Sequence, residues 1–347
     1  MGDHSGQRRR SASELGLYEA AIERGPLNAI TDVTGVRVGH TTLIEGTGIR
    51  TGVTAIVPDA VDRAGGELPA GLFVGNGFGK LIGATQLVEL GAIETPIVLT
   101  GTLSAFRAAD ALVSYMLALP GNEDMRTVNP VVGETNDGYL SDIRARPITE
   151  QHVLSAIRSA SGGPVAQGCV GAGTGTAALG FKAGIGTASR RQTLPGGEPG
   201  TVGVLVQSNF SGTLTVDGVP IEPQRALPPP VPEAIDSGGN SCVIIVAVDR
   251  ALDSRQLTRV ARRAVFAMAD VGSDFSPYSG DYAIAFATAQ CPPVPESALA
   301  RIFAAAAEAT AEAILNSLFL ATTTTGHQGH TKQAVPLDYV LRACLRP

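Results

Sequence analysis

Seven consecutive apolar residues, Cys242 to Val248, follow directly on a proline- and glycine-rich stretch, and this run limits the possible folds more than any other feature of the chain. A run this short, bounded by turn-forming residues, reads as a strand buried on both faces. A strand with no polar face needs an apolar layer above it and another below. Helices suited to one such layer are visible nearby. "LDSRQLTRVARRAVFAMADVGS" (252–273) places Leu257, Val260, Ala264 and Met268 on one helical face. "ESALARIFAAAAEATAEAILNSLF" (296–319) is a long, alanine-rich helix with a wide apolar face.

The rest of the chain alternates in the same way. Strands are expected in the second half of 28–43, at 52–59, 94–102, 201–211 and 282–289. Helices are expected at 81–91, ending on Gly91, at 104–121, ended by Pro120, and at 149–161, capped by Thr149. No repeat of fixed period is present. Strands mixed with one-sided helices are best accommodated as helix layers over sheet. A length of 347 residues fits one large α/β unit as well as two domains.

Composition narrows the function. With 44% apolar and 17% charged residues the chain has material for a sizeable core. A net charge of −6 disfavours nucleic-acid binding. The one basic cluster, Arg8 to Arg10, sits in a polar tail expected to be solvated. No segment approaches the ~18 apolar residues of a membrane span. The residues after the arginines, "SASELGLYEAAIERG", do not read as a secretory signal. The four cysteines (Cys169, Cys242, Cys291, Cys344) are far apart and lack metal spacing, as expected of reduced thiols in a cytoplasmic protein.

Three familiar signals fail on context. "GAGTGTAALG" (171–180) has the glycines of a dinucleotide loop but no clear strand before it and no matching acid after it, so crowded backbone packing is the better account. His327 and His330 are three apart, but no Cys, Asp or Glu accompanies them in a glycine-bearing loop. No GxSxG elbow occurs. Neither a metal nor an organic cofactor is expected.

The proline-rich stretch remains. Residues 217–239 hold six prolines, and a structureless loop of that length is uncommon unless it is functional or a linker. It ends on Asn240–Ser241, at the mouth of the buried strand. Ser241 could simply open the strand. Alternatively, its hydroxyl attacks the carbonyl before it, the resulting ester is hydrolysed, and Ser241 becomes a new N-terminus. An α-amine titrates near ~7.7–8.0 and can serve as the base for its own hydroxyl. Cys242, next in line, is a nucleophile on chemical grounds.

Several long motifs in order, "NPVVGETNDGYLSDI" (129–143), "GAGTGTAALGFKAGIGTASR" (171–190), "VGVLVQSNF" (202–210) and "NSCVIIVAVDRAL" (240–252), resemble the DmpA/BapA family of self-processing aminopeptidases. That family includes β-peptidyl aminopeptidases, an L-aminopeptidase/D-amidase and a pantetheine hydrolase. The resemblance runs over nearly the whole chain. It implies one four-layer αββα sandwich over 1–347, similar to N-terminal nucleophile hydrolases but differently connected. It implies self-cleavage at Asn240–Ser241 into an α chain 1–240 and a β chain 241–347, with 217–240 as a flexible linker. The motif register favours Ser241 as nucleophile, with Cys242 packing as an apolar strand residue. Asn209 matches an oxyanion-stabilising asparagine, Ser279 and Asp281 a Ser-x-acid pair near the nucleophile's amine, and Tyr139 a tyrosine lining the site.

An enzyme that selects a free N-terminus needs a carboxylate for the substrate's ammonium. Glu134 is the first candidate, and Asp137 lies in the same motif. Where the family usually has asparagine, this chain has Gly101, and it carries Cys242 where many members have isoleucine. The resemblance further implies a small peptide or amide substrate, no cofactor, and a homo-oligomer of processed αβ units. An amide of the pantetheine type and an uncut, non-catalytic binding protein are the alternatives.

Overall fold

The computed structural model describes residues 8–195, 197–228, 240–289 and 294–344. In chain order the strands are β1 (Val36–Glu45), β2 (Ile49–Pro58), β3 (Leu68–Gly77), β4 (Ala92–Ile93), β5 (Ile97–Gly101), β6 (Val131–Thr135), β7 (Ala177–Ala178), β8 (Phe181–Lys182), β9 (Ile185–Thr193), β10 (Pro199–Asn209), β11 (Thr215–Val216), β12 (Val219–Pro220), β13 (Asn240–Val248), β14 (Ser279–Ala287), β15 (Thr324–Thr325) and β16 (Thr331–Lys332). The helices are α1 (Ala84–Leu90), α2 (Ala105–Leu117), α3 (Glu150–Arg158), the single turn α4 (Pro223–Ala226), α5 (Ser254–Asp270), α6 (Glu296–Phe319) and α7 (Leu337–Cys344).

Two sheets carry the architecture. One has the order β1-β2-β5-β6, the other β4-β3-β14-β13-β10-β9. They face each other, with α2 and α3 outside the first and α5 and α6 outside the second. This is the αββα sandwich, and β13 shows why the sequence requires it. Its residues alternate between two cores, as a strand's period of two dictates. Val243, Ile245 and Ala247 pack between the sheets with Ile56, Leu99 and Phe286. Cys242, Ile244 and Val246 pack under Leu257, Val260, Ala264 and Met268 of α5. Both faces are apolar because both are covered.

Local chemistry sets the ends. Asp253 accepts the backbone N–H of Gln256 at 2.7 Å and starts α5, with Gln256 returning a bond to the Asp253 N–H. Gly91, in the left-handed region at φ 69°, stops α1. No helix among the described residues is long and apolar enough to cross a membrane.

Three expectations change. The proline-rich segment does not read straight through as loop: β12 and α4 form within 217–228, where Pro223 supplies a preset φ at the first position of α4. Its remainder, 229–239, and Cys291 lie outside the described residues. The basic tail is not wholly solvated, since Arg9 donates to the carbonyls of Phe319 (2.7 Å) and Val335 (2.9 Å). The strand expected at 282–289 starts three residues earlier, so Ser279 to Asp281 are the first three residues of β14.

One buried ion cluster ties the N-terminal segment to α6. Arg190, wholly buried, pairs with Glu308 and with buried Glu312 (2.6 Å), and Glu312 also receives Arg24 (3.0 Å). Removing one partner strands a buried carboxylate, a loss of ~3–5 kcal/mol. Arg190→Met is therefore expected to lower the unfolding free energy by that amount in denaturant titration. The double variant Arg190→Met/Glu312→Leu should lose less than the single one.

Candidate active site

The site forms where three strands of the larger sheet end side by side. β10 runs antiparallel to β13, and β14 runs parallel to it. The registers set Asn209 opposite Ser241 on one side and Gly280 beside it on the other. Neighbouring strands lie ~4.8 Å apart, so Asn209, Ser241 and Gly280 form one row. Ser279 falls beside Asn240, Asp281 beside Cys242, and Asn76 of β3 beyond Asp281.

Ser241 is 4% exposed, and its Oγ donates to the carbonyl oxygen of Asn240 at 2.6 Å. The hydroxyl thus rests against the peptide group that precedes it. Asp281 is fully buried. Its Oδ1 accepts from Ser279 Oγ at 2.7 Å and its Oδ2 from Asn76 Nδ2 at 2.9 Å. Burial raises the Asp281 carboxyl pKa from its ordinary value, against the pull of Ser279, Asn76 and the Cys242 N–H. Asn209 Oδ1 accepts the Ala177 N–H of β7 at 3.1 Å. That bond fixes the amide so that its hydrogen-bearing end is Nδ2.

Glu134 ends near the same row. Its Oε1 accepts the Lys80 N–H at 2.7 Å and its Oε2 accepts from Thr102 Oγ1. The link to Ser241 is a glycine contact. A Cβ on Gly280 would lie 2.6 Å from the Gly79 nitrogen, and one on Gly79 would lie 3.1 Å from Glu134 Oε1. Only glycines let the Glu134 carboxylate approach this closely to the strand beside Ser241.

Asp137 is buried but sits apart from the row. Its Oδ2 has no hydrogen-bond partner, and burial first, then the charge of Glu134, raises its pKa to about 6, against the pull of Thr51. It abuts Gly101, where an added Cβ would be 2.7 Å from Oδ2. The asparagine that the resemblance places at 101 would collide with Asp137, so glycine at 101 and aspartate at 137 go together in this chain.

Tyr139 is half-buried in the loop after β6. Its ring stacks on His330, with centroids 4.5 Å apart and planes 8° off parallel, and Lys332 Nζ lies 4.9 Å from its centroid. His330 Nδ1 is 3.0 Å from the Tyr139 carbonyl oxygen. His330 is therefore the ring partner of Tyr139. Cys242 is fully buried on the helix side, and burial raises its thiol pKa well above the ordinary value.

Sequence reasoning missed Asn76, Thr102 and the Gly79–Gly280 contact. Asn76 and Gly79 lie in the glycine-rich "GLFVGNGFGKLIG", where nothing local singles out either residue. Nothing local marks Thr102, which meets Glu134 only because β5 pairs with β6.

Solved structures share this fold. The chain superposes on the PH0078 protein from Pyrococcus horikoshii OT3 with a TM-score of 0.89 and 42% identity, over 96% of this chain and 98% of that one. It superposes on the L-aminopeptidase D-Ala-esterase/amidase of Ochrobactrum anthropi, described as a variant of the Ntn hydrolase fold, with a TM-score of 0.86 and 33% identity, over 96% and 97% of the two chains. The fold is thus that of Ntn-type hydrolases in a variant connectivity. Residues 28–332 match Peptidase family S58, and the chain belongs to that family. A beta-peptidyl aminopeptidase, BapA, from Sphingosinicella microcystinivorans is 37% identical over 96% of this chain and 91% of its own length.

The Asp137 environment gives a pH signature. Its folded pKa is raised from the unfolded value of 3.8 to about 6. The folded state then binds the proton more tightly, so stability is intact below pH ~4 and falls as pH rises through ~6. Two units correspond to ~3 kcal/mol. Asp137→Asn is expected to flatten that fall, with a higher Tm than the parent at pH 7–8 and none at pH 4. Equal Tm differences at both pH values would contradict the assignment.

Proposed function

We propose that the chain is a self-processing serine aminopeptidase that cuts its own Asn240–Ser241 bond and then uses Ser241 as an N-terminal nucleophile. The observation that carries this reading is the Ser241 Oγ held 2.6 Å from the Asn240 carbonyl oxygen, within the row formed with Asn209 and Gly280. In processing, Oγ attacks the Asn240 carbonyl carbon, and the acyl group moves from the Ser241 nitrogen to Oγ. Water hydrolyses the ester, leaving a carboxylate on 240 and an amine on Ser241. The products are an α chain 1–240 and a β chain 241–347.

In turnover the freed amine accepts the Oγ proton as Oγ attacks the substrate amide. Asn209 Nδ2 donates to the oxyanion. The Ser241 ammonium returns the proton to the leaving amine, and water then resolves the acyl-enzyme. Ser279 and Asp281, beside the Asn240–Ser241 bond, hold the ammonium and tune it. Tyr139 lines the site. Glu134, buried beside Gly79 and Gly280, takes the substrate's ammonium, and Asp137 adds negative charge behind it. The substrate is a peptide or amide with a small N-terminal residue of α-L, D-amide or β type. The enzyme needs no cofactor and acts in the cytoplasm as an oligomer of αβ units.

The buried Glu134 carboxylate favours this reading over a pantetheine-type amide, which has no ammonium to offer it. N-acetylation of a cleaved aminoacyl p-nitroanilide should abolish hydrolysis, whereas undiminished hydrolysis would favour the neutral amide.

Purified protein is expected to run as two bands, and the smaller one should begin Ser-Cys-Val-Ile. A single band near 35.5 kDa would support the uncut alternative. Ser241→Ala should give an uncut, inactive protein whose circular dichroism matches the parent, since losing one buried hydroxyl costs ~1–2 kcal/mol. A start at Cys242, or activity in Ser241→Ala, overturns the proposal. Asn209→Ala should lower kcat by ~10²–10³ without unfolding the protein.

A further inference from the structure

Two aromatic rings stand more than half exposed where β13 begins. Phe78, the first residue past β3, is 55% exposed, and Tyr278, the residue before β14, is 59% exposed. Their rings meet edge to face, with centroids 5.8 Å apart and planes at 86°. That contact leaves most of both rings open to water. Single exposed apolar side chains are ordinary, whereas adjoining ones at the mouth of a site offer a contact surface.

The strand registers place this pair beside the Asn240–Ser241 bond. Ser279 lies opposite Asn240 in the parallel β13–β14 pairing, and Tyr278 is the next residue back. The Tyr278 Cα is therefore within ~9 Å of the Asn240 Cα. Phe78 donates its N–H to the Ser279 carbonyl at 3.3 Å. Its successor Gly79 packs against Gly280, where an added Cβ would lie 2.6 Å from the Gly79 nitrogen. The segment before Tyr278 is anchored as well. Asn76 Nδ2 donates to the carbonyls of Phe275 (3.2 Å) and Ser276 (3.3 Å), and the Ser279 N–H donates to the Ser276 carbonyl at 2.9 Å. Both rings are thus carried by backbone that is fixed against the strand beside Ser241.

In the aminopeptidase reading, the Ser241 ammonium returns its proton to the leaving amine. The leaving residue must then begin within ~3 Å of the Ser241 nitrogen. That nitrogen is the one joined to Asn240, so the leaving residue begins in the place beside Ser279, which Tyr278 precedes and Phe78 bonds. The N-terminal residue instead runs from Ser241 toward Glu134. Building on that reading, we propose that Phe78 and Tyr278 form the subsite for the leaving residue's side chain, so that the preferred substrates join a small N-terminal residue to an apolar or aromatic one. Such a side chain leaves water against two rings that are themselves exposed, and apolar area is removed on both partners. A leaving residue without a side chain of this kind gains nothing from the pair.

The test compares alanyl-phenylalanine amide with alanyl-alanine amide, and β-alanyl-phenylalanine amide with β-alanyl-alanine amide, on the self-cleaved enzyme. Within each pair only the leaving residue changes, and kcat/KM covers every step from free substrate through its departure. The parent should favour each phenylalanine amide by at least ~10-fold, the discrimination an apolar pocket gives for a few carbons. Phe78→Ala and Tyr278→Ala should each shrink that ratio while kcat/KM on the alanine amides stays within about twofold, and Tyr278→Phe should keep it. Two bands in each variant report that the site has assembled. A ratio near one in the parent overturns the inference whatever the variants do, as does an equal loss on both members of a pair in Phe78→Ala or Tyr278→Ala. A preference for phenylalanyl-alanine amide over alanyl-alanine amide that disappears in those variants places the rings at the N-terminal residue and also overturns it. In all three cases the aminopeptidase reading stands. An enzyme that cleaves none of these amides and no aminoacyl p-nitroanilide overturns the aminopeptidase reading, and the inference with it.

Discussion

β13 lies between an antiparallel neighbour and a parallel one, and its registers with β10 and β14 place Asn209, Ser279 and Asp281 around Ser241. Asn209 is the last residue of β10, Ser279 the first of β14, and Ser241 the second of β13. Three chain segments distant in sequence thus deliver their side chains to one edge. The sheet fixes them to within the tolerance of backbone hydrogen bonds, which loops alone would not do. Shifting β13 by one residue would exchange Ser241 for Cys242 in the row and turn the Val243 and Ile245 set out of the inter-sheet core.

That edge is costly to build. Ser241, Ser279, Asp281, Asn209 and Glu134 are all buried polar groups, and each needs partners. The partners come from several elements: Asn76 and Ser279 of the larger sheet for Asp281, Ala177 of the β7–β8 hairpin for Asn209, and Lys80 and Thr102 of connecting segments for Glu134. The two apolar cores on either side of β13 offset this cost. Asp137 Oδ2 and Gln207 Oε1 are the exceptions, buried acceptors without hydrogen-bond partners a short way behind the row.

Much of this was legible in the sequence, and the pattern of what was not is physical. The apolar run 242–248 required cover on both faces, and 296–319 appears as α6 with those ends. The seven-residue run did not show that β13 starts two residues earlier, at Asn240, because polar residues at a strand's mouth look like loop. The 217–228 stretch read as loop because its short elements depend on tertiary packing. Of the candidate residues, Ser241, Asn209, Ser279 and Asp281 converge, and Glu134 joins them through Gly79 and Gly280. Asp137 stands behind them against Gly101. Tyr139 was expected to line the site, but nothing local showed that its ring would meet His330 and Lys332. A stacked imidazole and a cation over a ring are relations between segments almost 200 residues apart.

Alternation along β13 has a further consequence. Ser241 shares a face with Val243, toward the opposing sheet, while Cys242 points into the helix layer and is sealed there. Two nucleophilic side chains stand in adjacent positions, and the more reactive element is the one denied access. Odd and even positions along the strand act as a filter on chemistry. Sulfur can therefore be kept next to the working hydroxyl without competing for the same bond, and its oxidation is shielded by the same packing that builds the core.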